Sequence, residues 1–128
     1  MSEAFQGYID QSLIGSGNMH SACIAGLDGN YWAYGGDYVP QPDELKDIIK
    51  CLDSPDLARE KGVHIATQKY FVLRAEPGLM YVKLGAGGAC IGKSDTAVVI
   101  GVYGEGVAPP ACNMTVEGII KYLKDNGY

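Results

Sequence analysis

Thr96–Tyr103 reads T-A-V-V-I-G-V-Y, apolar at nearly every position. A strand with one wet face alternates apolar and polar residues, so this one must be covered on both sides and sits in the middle of its sheet. Leaving two such faces in water would cost several kcal/mol at about 25 cal/mol per Å². The cover has to come from helices elsewhere in the chain. One follows directly: after the Gly/Pro-rich connection 104–110, Cys112, Val116, Ile119, Ile120 and Leu123 recur at helical spacing as one apolar stripe.

Working outward, Ser2 is placed to cap a short amphipathic helix whose apolar side carries Phe5, Tyr8, Ile9 and Leu13, ending near Gly15 and Gly17. His20–Leu27 reads as a strand, Asp28-Gly29 as a hairpin turn, and Tyr31-Trp32-Ala33-Tyr34 as the returning strand. Strict alternation would put Trp32 and Tyr34 on one side and Tyr31 and Ala33 on the other. Pro42 opens a helix with Asp43 and Glu44 at its positive end and the stripe Leu45, Ile48, Ile49, Leu52. A brief helix begins at Ser54-Pro55-Asp56 and stops at Gly62. Strands then follow closely at Val63–Ala66, Lys69–Ala75, Leu79–Leu84, Ala89–Ile91 and Thr96–Tyr103, punctuated by Pro77-Gly78, Gly85–Gly88 and Ser94-Asp95. Short connections favour antiparallel neighbours, so the expected class is α+β with one sheet of about five to seven strands. The length of 128 residues fits one domain spanning 1–128.

The balance of 15 acidic against 10 basic side chains, a net charge of −5, argues against a partner held by phosphate neutralisation, nucleic acid included. Cys23, Cys51, Cys90 and Cys112 stand singly in apolar patterns without C-x-x-C spacing, which points to buried thiols in a reducing compartment. The first residues lack a basic region followed by an apolar run, and no window approaches 18 apolar residues, so a cytosolic location is expected.

Catalytic and metal motifs are missing. His20 and His64 have no Cys, Ser or carboxylate at a recognisable spacing, and structural histidines are the simpler reading. The glycine run after Leu84 lacks the Gly-Lys-Ser/Thr ending and the helix of a phosphate loop, and reads as a turn or bulge. No zinc, EF-hand or H-E-x-x-H pattern occurs, so neither a metal nor a cofactor is expected. The aromatics are more informative. Eight of the twelve (Phe5, Tyr8, Tyr31, Trp32, Tyr34, Tyr38, Tyr122, Tyr128) crowd into the first hairpin and the two terminal helices. Aromatics on amphipathic elements usually belong to a core, but Tyr122 lies off the apolar stripe and Tyr128 is the last residue, where burial is difficult. If the terminal helices lie side by side near Trp32, the result is an exposed strip of rings with polar handles. Such a strip suits a polyproline II ligand, which is preformed and presents free carbonyls every turn.

Several stretches in this order and spacing resemble the profilins, small proteins that bind actin monomers and polyproline. They are M-S-x-x-F-x-x-Y-I-D (Met1–Asp10), L-D-G-N-Y-W-A (Leu27–Ala33), K-Y-F-V-L-R-A (Lys69–Ala75), G-A-G-G (Gly85–Gly88), I-G-V-Y-G-E (Ile100–Glu105) and the closing Cys112–Tyr128. The resemblance covers essentially the whole chain. It implies a central antiparallel sheet with the N- and C-terminal helices on one face and the smaller helices on the other. It places polyproline binding at Phe5, Tyr8, Trp32, Tyr122 and Tyr128, with Phe5 near a position where the family usually has tryptophan. It places actin binding at Lys69, Leu73, Arg74, Lys83, Val107, Asn113, Met114 and Glu117. Leu84, Thr96 and Gly118 stand where basic residues are common in the family. Gly118 costs its helix about 1 kcal/mol relative to alanine, which would make sense if a neighbour approached closely there.

The expectation is therefore a cytoplasmic, cytoskeletal, monomeric adaptor without catalytic chemistry. It would bind one actin monomer on one face and proline-rich proteins on the opposite face, regulating filament assembly by monomer sequestration, with weak or no phosphoinositide binding. The alternatives are a scaffold or ligand-sensing module of the same build without actin binding, and a small hydrolase, which the missing nucleophile–base pair disfavours.

Overall fold

The computed structural model describes residues 3–128. Its strands are β1 (Ser21–Gly26), β2 (Tyr31–Gly35), β3 (Val63–Ile65), β4 (Gln68–Glu76), β5 (Leu79–Leu84), β6 (Gly87–Lys93) and β7 (Ala97–Tyr103). They form one antiparallel sheet in the order β2-β1-β7-β6-β5-β4-β3. β7 lies inside the sheet between β1 and β6, and all of its residues are buried. Its side chains divide between two cores: Val98, Ile100 and Val102 enter one, and Ala97, Val99 and Tyr103 the other. That division is the physical reason the stretch is apolar throughout.

One core is closed by α2 (Pro42–Leu52) and α3 (Pro55–Lys61), which bring Leu45, Ile48, Cys51, Leu52 and Ala58 onto Met80, Val82 and Ile91. The other is closed by the two terminal helices. α1 (Glu3–Gly7) continues without a break into a π turn (Tyr8–Leu13) and a 3-10 turn (Ile14–Ser16), and α4 (Pro109–Asp125) lies beside this segment. Phe5, Ile9 and Leu13 from the first meet Cys112, Val116, Ile120 and Leu123 from the second over Ile24, Cys90 and Val99. Terminal helices on one face and the smaller helices on the other is the arrangement the sequence leads one to expect. The proposed cap Ser2 lies outside the described residues. No helix among the described residues is long and apolar enough to cross a membrane.

Four local features depart from the sequence reading. The pairing of β1 with β2 shifts register between Ile24 and Ala25, because Trp32 is an extra, bulged residue on β2 between Tyr31 and Ala33. An extra residue reverses the alternation, so Trp32 and Ala33 both belong to the helix side while Tyr31 packs on the other core and meets Tyr34, ring centroids 5.8 Å apart. The expected sharing of a face by Trp32 and Tyr34 is thus wrong. Second, strand β3 stops at Ile65, because Ala66 and Thr67 take φ of 51° and 68° as the two central residues of a tight hairpin. Glu44 steadies that turn: its carboxylate accepts the Thr67 N–H at 2.8 Å and, with its other oxygen, the Gln41 N–H at 2.8 Å at the start of α2. Third, β6 is longer than expected and takes in Gly87 and Gly88, leaving Gly85-Ala86 as the turn. Fourth, a Cβ on Gly118 would meet nothing within 4 Å, so no close neighbour accounts for this glycine.

Candidate functional site

Five rings meet where the start of the chain, the first hairpin and the end of α4 converge. The indole of Trp32 lies 4.8 Å from the Phe5 ring and 5.9 Å from the Tyr128 ring, and Phe5 meets Tyr128 edge-on at 5.2 Å. Phe5 also contacts Tyr8 at 5.9 Å, and Tyr8 meets Tyr122 at 5.5 Å, both near perpendicular. The rings form an unbroken chain from Trp32 through Phe5 and Tyr8 to Tyr122, with Tyr128 closing one side. Edge-to-face packing of this kind fixes ring orientation as well as burying area.

Exposure separates floor from walls. Phe5 is 8% exposed and belongs to the core, whereas Tyr122 and Tyr128 are 46% and 41% exposed; Tyr8 and Trp32 are partly buried. The result is an apolar trough with polar handles along its rim. The Tyr122 hydroxyl beside Tyr8 holds that phenol above its ordinary range, which favours its neutral, hydrogen-bonding form. Each wall has a structural cause. The bulge opposite Ile24/Ala25 turns Trp32 toward the terminal helices, and glycine at position 26 leaves the indole its place, since a Cβ there would sit 3.1 Å from Nε1. Tyr128 is tied down by main chain: its N–H donates to the Leu123 carbonyl at 2.8 Å, and its carbonyl accepts the Thr96 N–H at 3.0 Å. Thr96, noted in the sequence for lacking charge, is in place an anchor for the trough. Its own carbonyl accepts the N–H of Leu27 at 3.0 Å, which links Tyr128 to the hairpin that carries Trp32.

A second group lies beyond the other flank of α4. Sheet pairing sets Phe71, Lys83, Gly88 and Tyr103 in one row and Arg74, Tyr81, Cys90 and Gly101 in the next. Cys90 and Tyr103 belong to the helix-side core, so both rows open on that face, and their outer ends on β4 and β5 run past the helix. Arg74 reaches its row because β4 has its own bulge, which leaves Leu73 unpaired between Val72 and Arg74. Phe71 and Leu73 are each 64% exposed and Met114 on α4 is 75% exposed, an unusual display for side chains of this size. The Lys69 ammonium stands 5.8 Å from the Phe71 ring, and the Arg74 guanidinium 5.7 Å from the Tyr81 ring. Arg74 donates from Nε and Nη2 to Glu76 at 3.0 and 2.8 Å, and Tyr81 donates to Glu117 at 2.6 Å.

Of the residues singled out in the sequence, Lys69, Leu73, Arg74, Lys83, Met114 and Glu117 carry this face. Asn113 is half-buried beside Met114, and Val107 packs against the helix-side core on the connection that follows Tyr103. Phe71 and Tyr81 were missed. The alternation of K-Y-F-V-L signals Phe71, which shares a face with Lys69, but nothing in sequence signals Tyr81, whose part depends on the bulge opposite it. The face is also less basic than Lys69, Arg74 and Lys83 suggest, since Glu76 and Glu117 stand beside Arg74. Both groups lie on the face of the sheet that carries the terminal helices. Glu117 and Tyr122 are five residues apart on α4, which turns them about 140° from each other around its axis. The groups therefore flank α4 and point away from each other around it.

No cysteine is exposed in either group. Cys23, Cys51, Cys90 and Cys112 are buried and free, and burial pushes the thiols of Cys23 and Cys112 up to about 12. Among the described residues no cluster of three or more His, Cys, Asp or Glu side chains could hold a metal ion.

The chain and its fold have known relatives. A family model described as Profilin matches residues 3–128. A protein named profilin from Trypanosoma brucei brucei is 43% identical over 144 aligned positions, covering 94% of this chain and 96% of that one. The solved structure of Acanthamoeba castellanii profilin IB superposes with a TM-score of 0.91 at 32% identity, covering 96% of this chain and 98% of that chain. Mouse profilin IIa, in complex with a double repeat from the FH1 domain of mDia1, shares the fold with a TM-score of 0.80 at 21% identity, covering 97% and 99% of the two chains.

Proposed function

The chain belongs to the profilin family, and on that premise we propose that it binds an actin monomer beside one flank of α4 and a proline-rich segment beside the other, regulating filament assembly without catalysis of its own. The observation that carries the reading is the unbroken chain of rings from Trp32 to Tyr122 with Tyr128 on its border. A polyproline II helix needs flat apolar surfaces at the spacing of its ridges and donors for its carbonyls. The trough offers both, the donors being the hydroxyls of Tyr8, Tyr122 and Tyr128. Phe5 contributes area and no donor, so affinity is weak, in the tens to hundreds of micromolar or about −5 to −6 kcal/mol. Mouse profilin IIa, which shares the fold, is in complex with a double repeat from the FH1 domain of mDia1, which supports a peptide partner for this chain.

For actin, the support is the exposed apolar strip Phe71, Leu73 and Met114, bordered by Lys69, Arg74 and Lys83. Apolar area supplies affinity at such a surface, and the charges steer encounter and fix register. Titration of monomeric actin followed by native gel shift tests it. A retarded complex is expected, and unchanged mobility of actin at a large excess of this protein would leave the scaffold reading in its place.

Anionic lipid is a poor partner. Of the ten cations, five (Arg59, Lys61, Arg74, Lys93, Lys121) already pair with carboxylates, and each missing cation forfeits up to about 1 kcal/mol near a charged surface. Vesicles containing phosphoinositide should leave the protein in the supernatant at physiological salt; sedimentation with them at low micromolar lipid would contradict this.

A further inference from the structure

Arg74 and Glu117 are opposite charges on neighbouring elements of the same face, yet they do not pair with each other. Arg74 spends its Nε and Nη2 on Glu76, and Glu117 receives the Tyr81 hydroxyl at 2.6 Å. Tyr81 touches both, its ring under the guanidinium at 5.7 Å and its oxygen on the carboxylate. The carboxylate is near enough for its charge to add to the Glu76 bond in holding the Arg74 guanidinium in its charged form. The guanidinium has five donors in a flat fork, and after Glu76 one edge remains free.

We propose that Tyr81 is a positioning residue: by holding the Glu117 carboxylate with its hydroxyl, it keeps that carboxylate off the free edge of Arg74, which stays open to an acidic partner. Without the hydroxyl, Glu117 has no donor of its own on the sheet. Arg74 on that face already feels the Glu117 charge, and its side chain is 60% exposed and free to turn. A second carboxylate on Arg74 would complete its neutralisation and compete with any carboxylate that a partner brings. The sequence gives no hint of this, because Arg74, Tyr81 and Glu117 lie on three elements and meet only through the bulge in β4 and the docking of α4. The inference rests on reading the Arg74 face as the one that meets actin.

The test is a double-mutant cycle with a spectroscopic arm. Tyr81→Phe keeps the ring and the fold. It should weaken binding of monomeric actin about fivefold in the parent and change it less than about twofold in a Glu117→Gln background, where no carboxylate is left to swing. An equal loss in both backgrounds would mean that Tyr81 acts through packing alone and would overturn the proposal. The Arg74 Nε–H resonance, followed by NMR without partner, gives the independent arm. It should shift and exchange more slowly in Tyr81→Phe and revert when Glu117→Gln is added. An Arg74 resonance indifferent to Tyr81→Phe would also overturn the proposal. If the parent binds no actin, the reading of this face fails while the resonance still decides whether Tyr81 restrains Glu117. The Tyr81 phenol serves as a control: the bond to Glu117 and partial burial push it up to about 12, and Glu117→Gln should bring it down toward the usual range.

Discussion

The Tyr128 ring stands edge-on to Phe5 at 5.2 Å, but the two side chains differ fivefold in exposure, 41% against 8%. One is a wall of the trough and the other its floor. Tyr128→Ala should therefore cost less than about 1 kcal/mol of stability while loosening an oligoproline by about 1–2 kcal/mol, because it removes ligand-facing area and a donor. Phe5→Ala should cost about 3 kcal/mol in unfolding, the usual loss for a truncated core phenylalanine. Urea denaturation and peptide titration of both variants separate the two effects. Equal losses of stability would mean that the rings are simply core.

Charge reversal at Arg74 puts a carboxylate in place of a cation on the face proposed for actin. Arg74→Glu should weaken actin binding by about 1–3 kcal/mol and flatten its salt dependence. A variant that suppresses polymerisation as well as the parent would move the contact elsewhere.

Titration should show itself at alkaline pH. Tyr81 is raised to about 12 by its bond to Glu117 and by burial, and Tyr8, Tyr31, Tyr70 and Tyr103 are also raised, burial leading at the last three. Between the unfolded value near 10 and these folded values the native state holds more protons than the unfolded one. The buried thiols of Cys23 and Cys112, also raised, add a decline that begins near the unfolded thiol value of about 8.5, so stability is full below that, and the phenols steepen the fall as pH rises from about 10 toward 12. Chemical denaturation at pH 8, 10 and 11 should show this decline, less steep in Tyr81→Phe. A flat profile would contradict the neutral, hydrogen-bonded phenols described above.

The hairpin at Ala66-Thr67 holds two side chains at positive φ, each costing about 1 kcal/mol relative to glycine. Thr67→Gly should raise stability by up to about 1 kcal/mol, and Glu44→Ala should lower it by about 1–2 kcal/mol through loss of both N–H partners. Thermal unfolding of the two variants measures both signs.

How much of this could be read in advance depended on whether a feature was periodic. β7 and the stripes of α2 and α4 announce themselves because burial on a regular element leaves a period in the sequence. The stripes called for helices covering the sheet, and the resemblance to the profilins supplied which helices share a face. The bulges did not, since one extra residue has no composition of its own; yet the bulge opposite Ile24/Ala25 decides where Trp32 points, and the bulge in β4 brings Arg74 opposite Tyr81. The turn at Ala66-Thr67 escaped because neither residue is one that usually takes positive φ, and Glu44, which steadies it, lies over twenty residues away. The five aromatic residues were legible one by one, whereas the division into floor and walls needed coordinates.

Trp32 is the only tryptophan in the chain, so the whole indole emission reports from within the trough. Titrating the folded protein with an oligoproline of about ten residues, with emission recorded to millimolar ligand, tests the central claim most directly. A saturable change with a midpoint in the tens to hundreds of micromolar, shifted to weaker binding in Tyr128→Ala, is the predicted result. Emission that stays flat to millimolar peptide would contradict a proline-binding trough, even if actin still bound on the far flank of α4.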